Sequence, residues 1–226
     1  MKLYGALASP YVTRVMMFAA IKGIDLPLEP TPGGGSPRSP EYMAFSPIAK
    51  IPSLDVDGQC IAESEVICEY LEDLGQGKSG LPGNPMDRAT SRLISRIVDL
   101  YLAPHTGTFF QQMNPAKRDE QVLASTAEAM GKGFGYLEHY MGSGPFCVGD
   151  QPSLGDCSAA PYVMLIKKVV FANFDVLADP TQGEGRLATW WQAIEADQHC
   201  SHWVNEYATA VDSFMQVMAK RITGQA

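Results

Sequence analysis

No apolar run in this 226-residue sequence is long enough to cross a membrane. The longest candidate, residues 161–171, contains Lys167 and Lys168, whereas a membrane-spanning helix needs about 20 consecutive apolar residues. The first residues also lack the basic segment and the long apolar segment of a secretory signal. We therefore expect neither a signal peptide nor a membrane partner.

Cysteine is scarce, and its positions show no pattern. Five scattered cysteines, an odd number, fit neither a disulfide framework nor the spacing of a zinc site. They are Cys60, Cys68, Cys147, Cys157 and Cys200. Residues 199–202 read His-Cys-Ser-His, but nothing completes a metal site there, so we interpret them as a loop and predict no metal. Unpaired cysteines indicate a reducing compartment, which predicts a cytoplasmic protein.

Basic residues are outnumbered by acidic ones. The chain has 17 Lys and Arg against 25 Asp and Glu, a formal net charge of −8. Nucleic acid and anionic membranes repel such a chain, so neither is expected as a partner. Residues 33–35 form a glycine run, but no Lys-Ser or Lys-Thr pair and no helix follows it. We therefore predict a flexible loop there and no nucleotide site.

The most informative stretch is residues 50–64. Asp57-Gly58 separates two β-prone runs, which is a strong hairpin signal because both central residues of a type I′ turn need positive φ. Glu63 and Ser64 follow the second run and begin an apolar-periodic helix that Gly75 ends. A carboxylate, a hydroxyl and unpaired helix N–H groups therefore meet at one point, where they suit a ligand that carries both charges.

The residues before this stretch predict a strand, a helix, a second strand and a short helix. Lys2-Leu3-Tyr4 is β-prone, and Ser9-Pro10 is a favoured helix start. Residues 24–28 predict an edge or terminal strand, and residues 29–40 a loop rich in Pro, Gly and Ser. With the hairpin, the order β-α-β-α-β-β-α predicts a mixed four-stranded sheet with helices against it.

A stretch rich in Gly and Pro divides the chain. We predict a first domain over residues 1–76, a linker over 77–85 and a second domain over 86–226. The apolar periodicity after the linker is helical throughout, so the second domain is predicted to be an all-α bundle. Ser153 and Asp156 form a capping box before its most apolar helix, and we expect their role to be structural.

Three local signatures resemble those of the cytosolic glutathione transferases, and the resemblance covers nearly the whole chain. The signatures are residues 9–15 (Ser-Pro-Tyr-Val-Thr-Arg-Val), residues 46–52 with Glu63-Ser64, and residues 149–156 around the capping box. They resemble the serine-type active-site turn, the glutathione-binding block and a structural capping motif of that family. The resemblance implies a thioredoxin-like α/β domain followed by an all-helical domain.

The resemblance implies a catalytic Ser9, because the family's serine stabilises the thiolate of glutathione. A hydroxyl at a helix N-terminus can donate to sulfur, and the helix dipole favours the anion. Lowering a thiol pKa of about 8.5 by about two units needs about 2.7 kcal/mol. One charge-assisted hydrogen bond and the dipole could supply that. The alternative is that Ser9 is only an N-cap, with Tyr4 or Tyr11 as the donor.

The resemblance also implies a set of glutathione-binding residues. Ile51 resembles the residue whose backbone pairs with the tripeptide like an added strand, and Pro52 resembles the family's cis-proline. Lys50 matches a position that meets the glycyl carboxylate, and Glu63 with Ser64 matches the pair that holds the γ-glutamyl group. The alternatives are a solvated lysine, an ordinary trans-proline, and a helix cap with an acidic first turn.

The second domain is expected to supply the pocket for a second substrate. Tyr11 could line this pocket from the first domain. Tyr101, His105 and Phe109, with Phe110, lie at or beyond the end of the first long helix. Aromatic residues at helical spacing are equally explained by core packing, so both interpretations stay open.

The resulting hypothesis is a glutathione transferase that activates the glutathione thiol and delivers it to a small hydrophobic electrophile. Glutathione is then a co-substrate, with no metal or nucleotide, and the resemblance implies a homodimer. Since position 9 is Ser and not Cys, mixed-disulfide chemistry is disfavoured. Two alternatives remain: a glutathione-dependent isomerase, dehalogenase or ether-cleaving enzyme at the same site, and a non-catalytic ligand carrier of the same fold.

Overall fold

A four-stranded sheet and three helices form the start of the chain in the computed structural model, which describes residues 1–222 and the side chains of residues 1–217. The elements are β1 (Lys2–Tyr4), α1 (Pro10–Lys22), β2 (Leu28–Glu29), α2 (Pro40–Phe45), β3 (Ser53–Val56), β4 (Gln59–Ala62) and α3 (Ser64–Asp73). The strand order is β2-β1-β3-β4, with β1 parallel to β2 and antiparallel to β3. The predicted mixed sheet and the element order are confirmed.

The hairpin forms as predicted, whereas the second strand does not. Asp57 (φ 52°) and Gly58 (φ 88°) both take positive φ, as the type I′ turn requires. The prediction of a strand over residues 24–28 is wrong, because only Leu28 and Glu29 pair with β1. The short strand β2 does lie at the edge of the sheet, as expected.

The chain that follows is helical as far as residue 222. The helices are α4 (Pro85–Ile97), α5 (Ala103–Gln111), α6 (Glu120–Tyr140), α7 (Leu154–Ile166), α8 (Arg186–Ala196) and α9 (Gln198–Ile222). A 3₁₀ turn spans Pro115–Lys117, and π-helical turns, Val98–Leu102 and Lys167–Phe171, follow α4 and α7. The prediction of an all-α second part is confirmed over these residues.

One predicted loop is helical instead. Residues 199–202 lie in the first turn of α9, so their interpretation as a loop is wrong. The Asp197 carboxylate accepts hydrogen bonds from the N–H groups of His199 (3.0 Å) and Cys200 (2.9 Å), which satisfies donors at the helix start. Within residues 1–222, no group of three or more His, Cys, Asp or Glu side chains is placed to hold a metal ion.

Helices α4 and α5 form one long helix that a π-helical turn interrupts. Pro104, in the first turn of α5, has no N–H for the carbonyl four residues before it, and its ring would crowd that carbonyl. The wider turn at Val98–Leu102 accommodates the proline. This turn carries Asp99 and Leu100, both of which line the cleft at the start of α3.

Helix α1 joins the α/β part to the helical part. It packs on α3 on one side and on α7 and α9 on the other. The buried apolar residues of both parts form one continuous cluster. Over the described part of the chain, no helix is both long and apolar enough to span a bilayer.

The Lys22 side chain ties α1 to α3 and to the segment after α3. Its ammonium is 2% exposed and donates to the Glu72 carboxylate (2.6 Å) and to the Lys78 carbonyl (2.8 Å). Glu72 also accepts hydrogen bonds from the Ser79 hydroxyl (2.5 Å) and the Gly80 N–H (2.9 Å). Residues 78–80 are therefore held against the α/β part.

Candidate active site

A cleft of about 660 Å³ opens between the loop before β3, the start of α3 and the π-helical turn after α4. This volume lies in the range of small-molecule sites. The residues predicted to bind glutathione that line it are Lys50, Ile51, Pro52, Glu63 and Ser64. The structure thus brings together residues that lie on two separate segments of the sequence.

The loop before β3 forms one wall of the cleft. Its Ile51–Pro52 peptide bond is cis, as the resemblance implies. The Tyr42 hydroxyl of α2 donates to the Lys50 carbonyl (2.6 Å) and lies 2.8 Å from the Ser53 hydroxyl. Tyr42 is fully buried, so its hydrogen bonds fix the backbone of this loop to the core. The Lys50 side chain is exposed.

The turn from β4 into α3 forms the opposite wall. Glu63 is exposed and takes a positive φ of 69°, and α3 begins at the next residue. The Ser64 side chain is only 5% exposed, and its hydroxyl accepts a hydrogen bond from Arg14 (Nη1 to Oγ, 3.1 Å). The first N–H groups of α3 therefore lie beside a fixed hydroxyl and an exposed carboxylate.

A buried ion pair, which the sequence analysis did not find, supports Ser64. The Arg14 guanidinium is 1% exposed, with Nη2 2.5 Å from Asp99 Oδ1 and Nη1 3.1 Å from Asp99 Oδ2. Burial alone would lower the pKa of Arg14, but the hydrogen bonds and the charge of Asp99 raise it above its ordinary value. Arg14 therefore stays charged and connects α1, the start of α3 and the π-helical turn.

Ser9 is the N-cap of α1, but its hydroxyl makes no capping hydrogen bond. Ser9 is not among the residues that line the cleft, whereas Tyr11, two residues further on, is. The Tyr11 ring lies 5.2 Å from the Arg14 guanidinium carbon, and burial raises the pKa of its phenol. The Ser9 hydroxyl is half-buried and makes no capping bond, and it lies at the positive end of α1, so it can donate to an anion.

Of the residues predicted for the second-substrate pocket, Tyr11 alone lines the cleft. Tyr101 is 46% exposed and packs edge-on against Tyr136, with 5.2 Å between the ring centroids. His105 is half-buried on α5. Phe109 is fully buried against Phe174, with 5.2 Å between the centroids, so it is a core residue.

Besides Arg14, four charged residues of the cleft were not predicted from the sequence: Glu65, Glu69, Arg96 and Asp99. Arg96 and Asp99 are three residues apart in an otherwise apolar stripe, and that spacing is the signal that could have found them. Burial raises the pKa of the Glu65 carboxyl, although the charge of Arg14 opposes the shift. The sequence does not show that Arg96 and Asp99 face the start of α3.

The chain matches known proteins from its first strand onward. Residues 3–79 match the family model described as "Glutathione S-transferase, N-terminal domain". A maleylacetoacetate isomerase from Pseudomonas aeruginosa is 32% identical over 167 residues, which cover 71% of this chain and 79% of that relative. The chain belongs to the cytosolic glutathione transferase family.

Similarity to other proteins of the glutathione transferase family extends over nearly the whole chain. A glutathione S-transferase from Pseudomonas putida is 26% identical over 222 residues, covering 96% of this chain and 97% of the relative. The crystal structure of a glutathione transferase from Populus trichocarpa matches with a TM-score of 0.74 at 22% identity, over 92% of this chain and 99% of that chain. The predicted fold, a thioredoxin-like α/β part followed by a helical part, is confirmed.

Proposed function

We propose that this chain is a glutathione-dependent enzyme that activates the glutathione thiol and transfers it to a small hydrophobic electrophile. The cleft is the observation that carries the proposal, because the cis Ile51–Pro52 backbone, Ser64 and the Arg14–Asp99 pair face one volume. The names of the relatives support a reaction that uses glutathione. Glutathione is the co-substrate in this proposal, which includes neither a metal nor a nucleotide.

The proposed mechanism stabilises a thiolate at the start of α1. The tripeptide pairs with the Ile51 backbone as an added strand, its glycyl carboxylate meets Lys50, and its γ-glutamyl group meets Glu63 and Ser64. Its sulfur then lies towards Ser9, whose hydroxyl donates to it. Together with the helix dipole, this hydrogen bond supplies about 2.7 kcal/mol, which lowers a thiol pKa by about two units.

A second candidate reaction is glutathione-dependent isomerisation. It is favoured by relatives named maleylacetoacetate isomerase that are 32% and 33% identical to this chain. In such a reaction the thiolate adds to a conjugated carbon–carbon double bond, the resulting single bond rotates, and the thiolate leaves again. The same Ser9 would serve both reactions, but isomerisation consumes no glutathione. Dehalogenation and ether cleavage at the same site remain alternatives.

The consumption of glutathione separates these reactions. The purified chain should be retained on immobilised glutathione and then incubated with glutathione and either an activated aryl chloride or maleylacetoacetate. We expect one glutathione to be consumed per aryl product. Isomerisation without net loss of glutathione would establish the second candidate reaction instead. Binding without turnover of either substrate would indicate a ligand carrier, and the absence of both binding and turnover would remove every form of the proposal.

We also propose that the chain forms a homodimer through α4 and the π-helical turn that follows it. Met86, Leu93 and Leu100 follow one another at seven-residue intervals, and they are 74%, 37% and 50% exposed. Apolar residues at this spacing form a stripe along one side of a helix, which is suited to packing against a second copy. Light scattering should give twice the chain mass of 24.5 kDa, and Leu93→Glu should give the single chain mass. An unchanged dimer in that variant would place the interface elsewhere.

A cytoplasmic location and the domain division belong to the same proposal. The five cysteines are unpaired, which suits a reducing compartment. The proposed boundaries are residues 1–76 for the glutathione-binding domain, 77–85 for the linker and 86–226 for the helical domain. The gap between the end of α3 at Asp73 and the start of α4 at Pro85 supports a division in this region.

A further inference from the structure

Three tyrosine side chains come together where α1, α7 and α9 pack on one another. Tyr11 of α1 lies beside Tyr162 of α7, with 5.8 Å between the ring centroids and 60° between the ring planes. Tyr207 of α9 is fully buried. Burial raises the pKa of Tyr207, and the neighbouring phenols of Tyr162 and Tyr11 raise it further. We call these three residues the tyrosine cluster, and it includes the residue two positions after Ser9.

The tyrosine cluster has hydroxyl groups that the protein itself does not use. The Tyr162 hydroxyl donates to the Ala103 carbonyl at 3.4 Å, which is a long hydrogen bond. Among the described residues, the buried Tyr207 hydroxyl has no hydrogen-bond partner. Such a buried, unpaired hydroxyl costs about 1–3 kcal/mol, so a core selected for stability alone would favour Phe. The cluster is therefore suited to a ligand group that accepts hydrogen bonds.

Tyr11 is the member of the tyrosine cluster that reaches the cleft. It lines the cleft together with Ile51 and Pro52 and is half-buried. Its ring lies 5.2 Å from the Arg14 guanidinium carbon as well as against the Tyr162 ring. Both neighbours are buried, with Arg14 1% and Tyr162 6% exposed, so they hold the Tyr11 ring in one orientation.

The Tyr11 phenol keeps its proton at neutral pH. Burial raises its pKa above the ordinary value of 10.0 and the charge of Asp99 adds to this shift, whereas Arg14 and Tyr162 oppose it. A neutral phenol donates one hydrogen bond and carries no negative charge that would repel an electron-rich oxygen. A donor held in place in this way stabilises an oxygen on which negative charge develops during a reaction.

We propose that Tyr11 is a second catalytic residue, which donates a hydrogen bond to the carbonyl oxygen of an electrophile whose carbon–carbon double bond is conjugated to that carbonyl. Tyr162 is a positioning residue, because it acts by holding the Tyr11 ring. This inference rests on the proposed function, and it deepens that function by naming the part of the electrophile that the enzyme recognises.

The hydrogen bond matters when the thiolate adds to the double bond. A carbon–sulfur bond forms at the β-carbon, the π bond breaks, and its electron pair moves to the carbonyl oxygen. The Tyr11 hydroxyl donates to this oxyanion and keeps its proton, and water then supplies the proton that the α-carbon takes up. Because the donor acts on charge that appears only in the transition state, its loss lowers kcat and leaves the KM for glutathione unchanged.

The test compares two electrophiles of similar size, benzylideneacetone, which has the conjugated carbonyl, and benzyl chloride, which has no oxygen. For Tyr11→Phe we expect kcat to fall about a hundredfold with benzylideneacetone and less than about threefold with benzyl chloride. Tyr162→Leu should lower kcat about tenfold with benzylideneacetone alone, and Tyr162→Phe, which keeps the ring, should restore it. Tyr140→Phe, the same change at an exposed position of α6, is the matched control.

The two electrophiles and the thiol pKa decide the outcome. Tyr11→Phe should leave the pKa of bound glutathione unchanged, so a raised pKa would make Tyr11 the thiolate donor and overturn the inference. Equal losses with both electrophiles, or no loss with either, also overturn it. Turnover of benzyl chloride but not of benzylideneacetone by the wild type overturns the inference and leaves the proposed function standing. If the wild type neither binds glutathione nor turns over either electrophile, the proposed function itself fails.

Discussion

The Ser9 hydroxyl occupies a helix N-cap without serving as one. Ser39 is its counterpart, because it also precedes a proline at a helix start, yet its side chain accepts a hydrogen bond from the Tyr42 N–H (3.2 Å). The Ser39 oxygen accepts in the cap while its proton is donated to the Pro32 carbonyl (2.6 Å), whereas the Ser9 hydroxyl makes no capping hydrogen bond. The same Ser-Pro pair therefore has two different environments in one chain.

We predict that Ser9→Ala raises the pKa of bound glutathione towards about 8.5 and lowers the rate of thiolate transfer at neutral pH by about tenfold or more. The melting temperature should change little, because no capping bond is lost. Thiolate absorbance as a function of pH and a thermal scan measure the two effects. Ser39→Ala is the control and should lower the melting temperature without changing the thiol pKa. An unchanged pH profile in Ser9→Ala would transfer the role to Tyr4, Tyr11 or a backbone amide.

At the scale of the element, helix α7 is positioned by a single carboxylate. Asp156 is fully buried and accepts hydrogen bonds from the N–H groups of Ser153 (2.8 Å) and Cys147 (2.8 Å) and from the indole of Trp190 (2.9 Å). Burial raises the pKa of Asp156, although these hydrogen bonds oppose the shift. The capping box predicted from four residues of sequence thus also fixes the loop before α7 and helix α8.

We predict that Asp156→Ala lowers the free energy of unfolding by about 3–5 kcal/mol, because it leaves several buried donors without an acceptor. Urea denaturation followed by tryptophan fluorescence measures the change. Asp150→Ala, an exposed position in the preceding turn, is the matched control and should change stability by less than about 0.5 kcal/mol. A loss below about 1 kcal/mol in Asp156→Ala would show that the helix does not depend on this carboxylate.

The contact between Lys22 and Glu72 should make stability depend on pH. Burial alone would raise the pKa of the Glu72 carboxyl, but hydrogen bonds from Lys22, Ser79 and Gly80 outweigh it, so the pKa lies below its ordinary value of 4.5. The unfolded chain therefore binds a proton at Glu72 more readily than the folded chain does. The stabilisation is present above pH 4.5 and is lost as the pH falls through the lowered pKa.

We predict that the difference in unfolding free energy between the wild type and Glu72→Gln is largest near neutral pH and shrinks below about pH 4. Denaturation curves at a series of pH values measure this difference. Glu206→Gln, at an exposed position on α9, is the control and should show no such trend. If the difference for Glu72 is constant over the whole pH range, the carboxylate charge does not contribute to stability.

At the scale of the whole molecule, the two proposed domains share one core. Helix α1 belongs to the α/β part, yet it packs on α7 and α9, and the buried apolar cluster runs through both parts. A boundary that is clear in the sequence at residues 77–85 is therefore not a boundary of the core. Neither part can unfold without exposing apolar surface of the other.

We predict that the two parts unfold together. Hydrogen exchange measured by mass spectrometry should give opening free energies for the amides of β1 and β3 that agree with those of α7 within about 1 kcal/mol. The 3₁₀ turn Pro115–Lys117 contains no fully buried residue and should open at a much lower free energy, which provides the internal reference. A lower opening free energy for the sheet than for α7 would show that the α/β part unfolds alone.

The sequence by itself determined the features whose causes lie within a few residues. The Asp57-Gly58 turn, the Ser9-Pro10 helix start and the Ser153–Asp156 capping box each depend on φ preferences or on hydrogen bonds that span at most three residues. These local features, in their order along the chain, were sufficient for the fold class and the family. The first and last residues of β2 could not be predicted in this way, because they depend on pairing with β1, which is distant in the sequence.

Only the tertiary structure decided which charges face the cleft. Arg14 and Asp99 are 85 residues apart, and their contact depends on how α1 packs against the π-helical turn. Likewise, Phe109 is a core residue because its side of α5 packs against other buried residues. Arg96 lines the cleft because its side of α4 faces the start of α3. Helical spacing identifies the residues that share a face but not what that face meets, because packing between distant segments determines the contact.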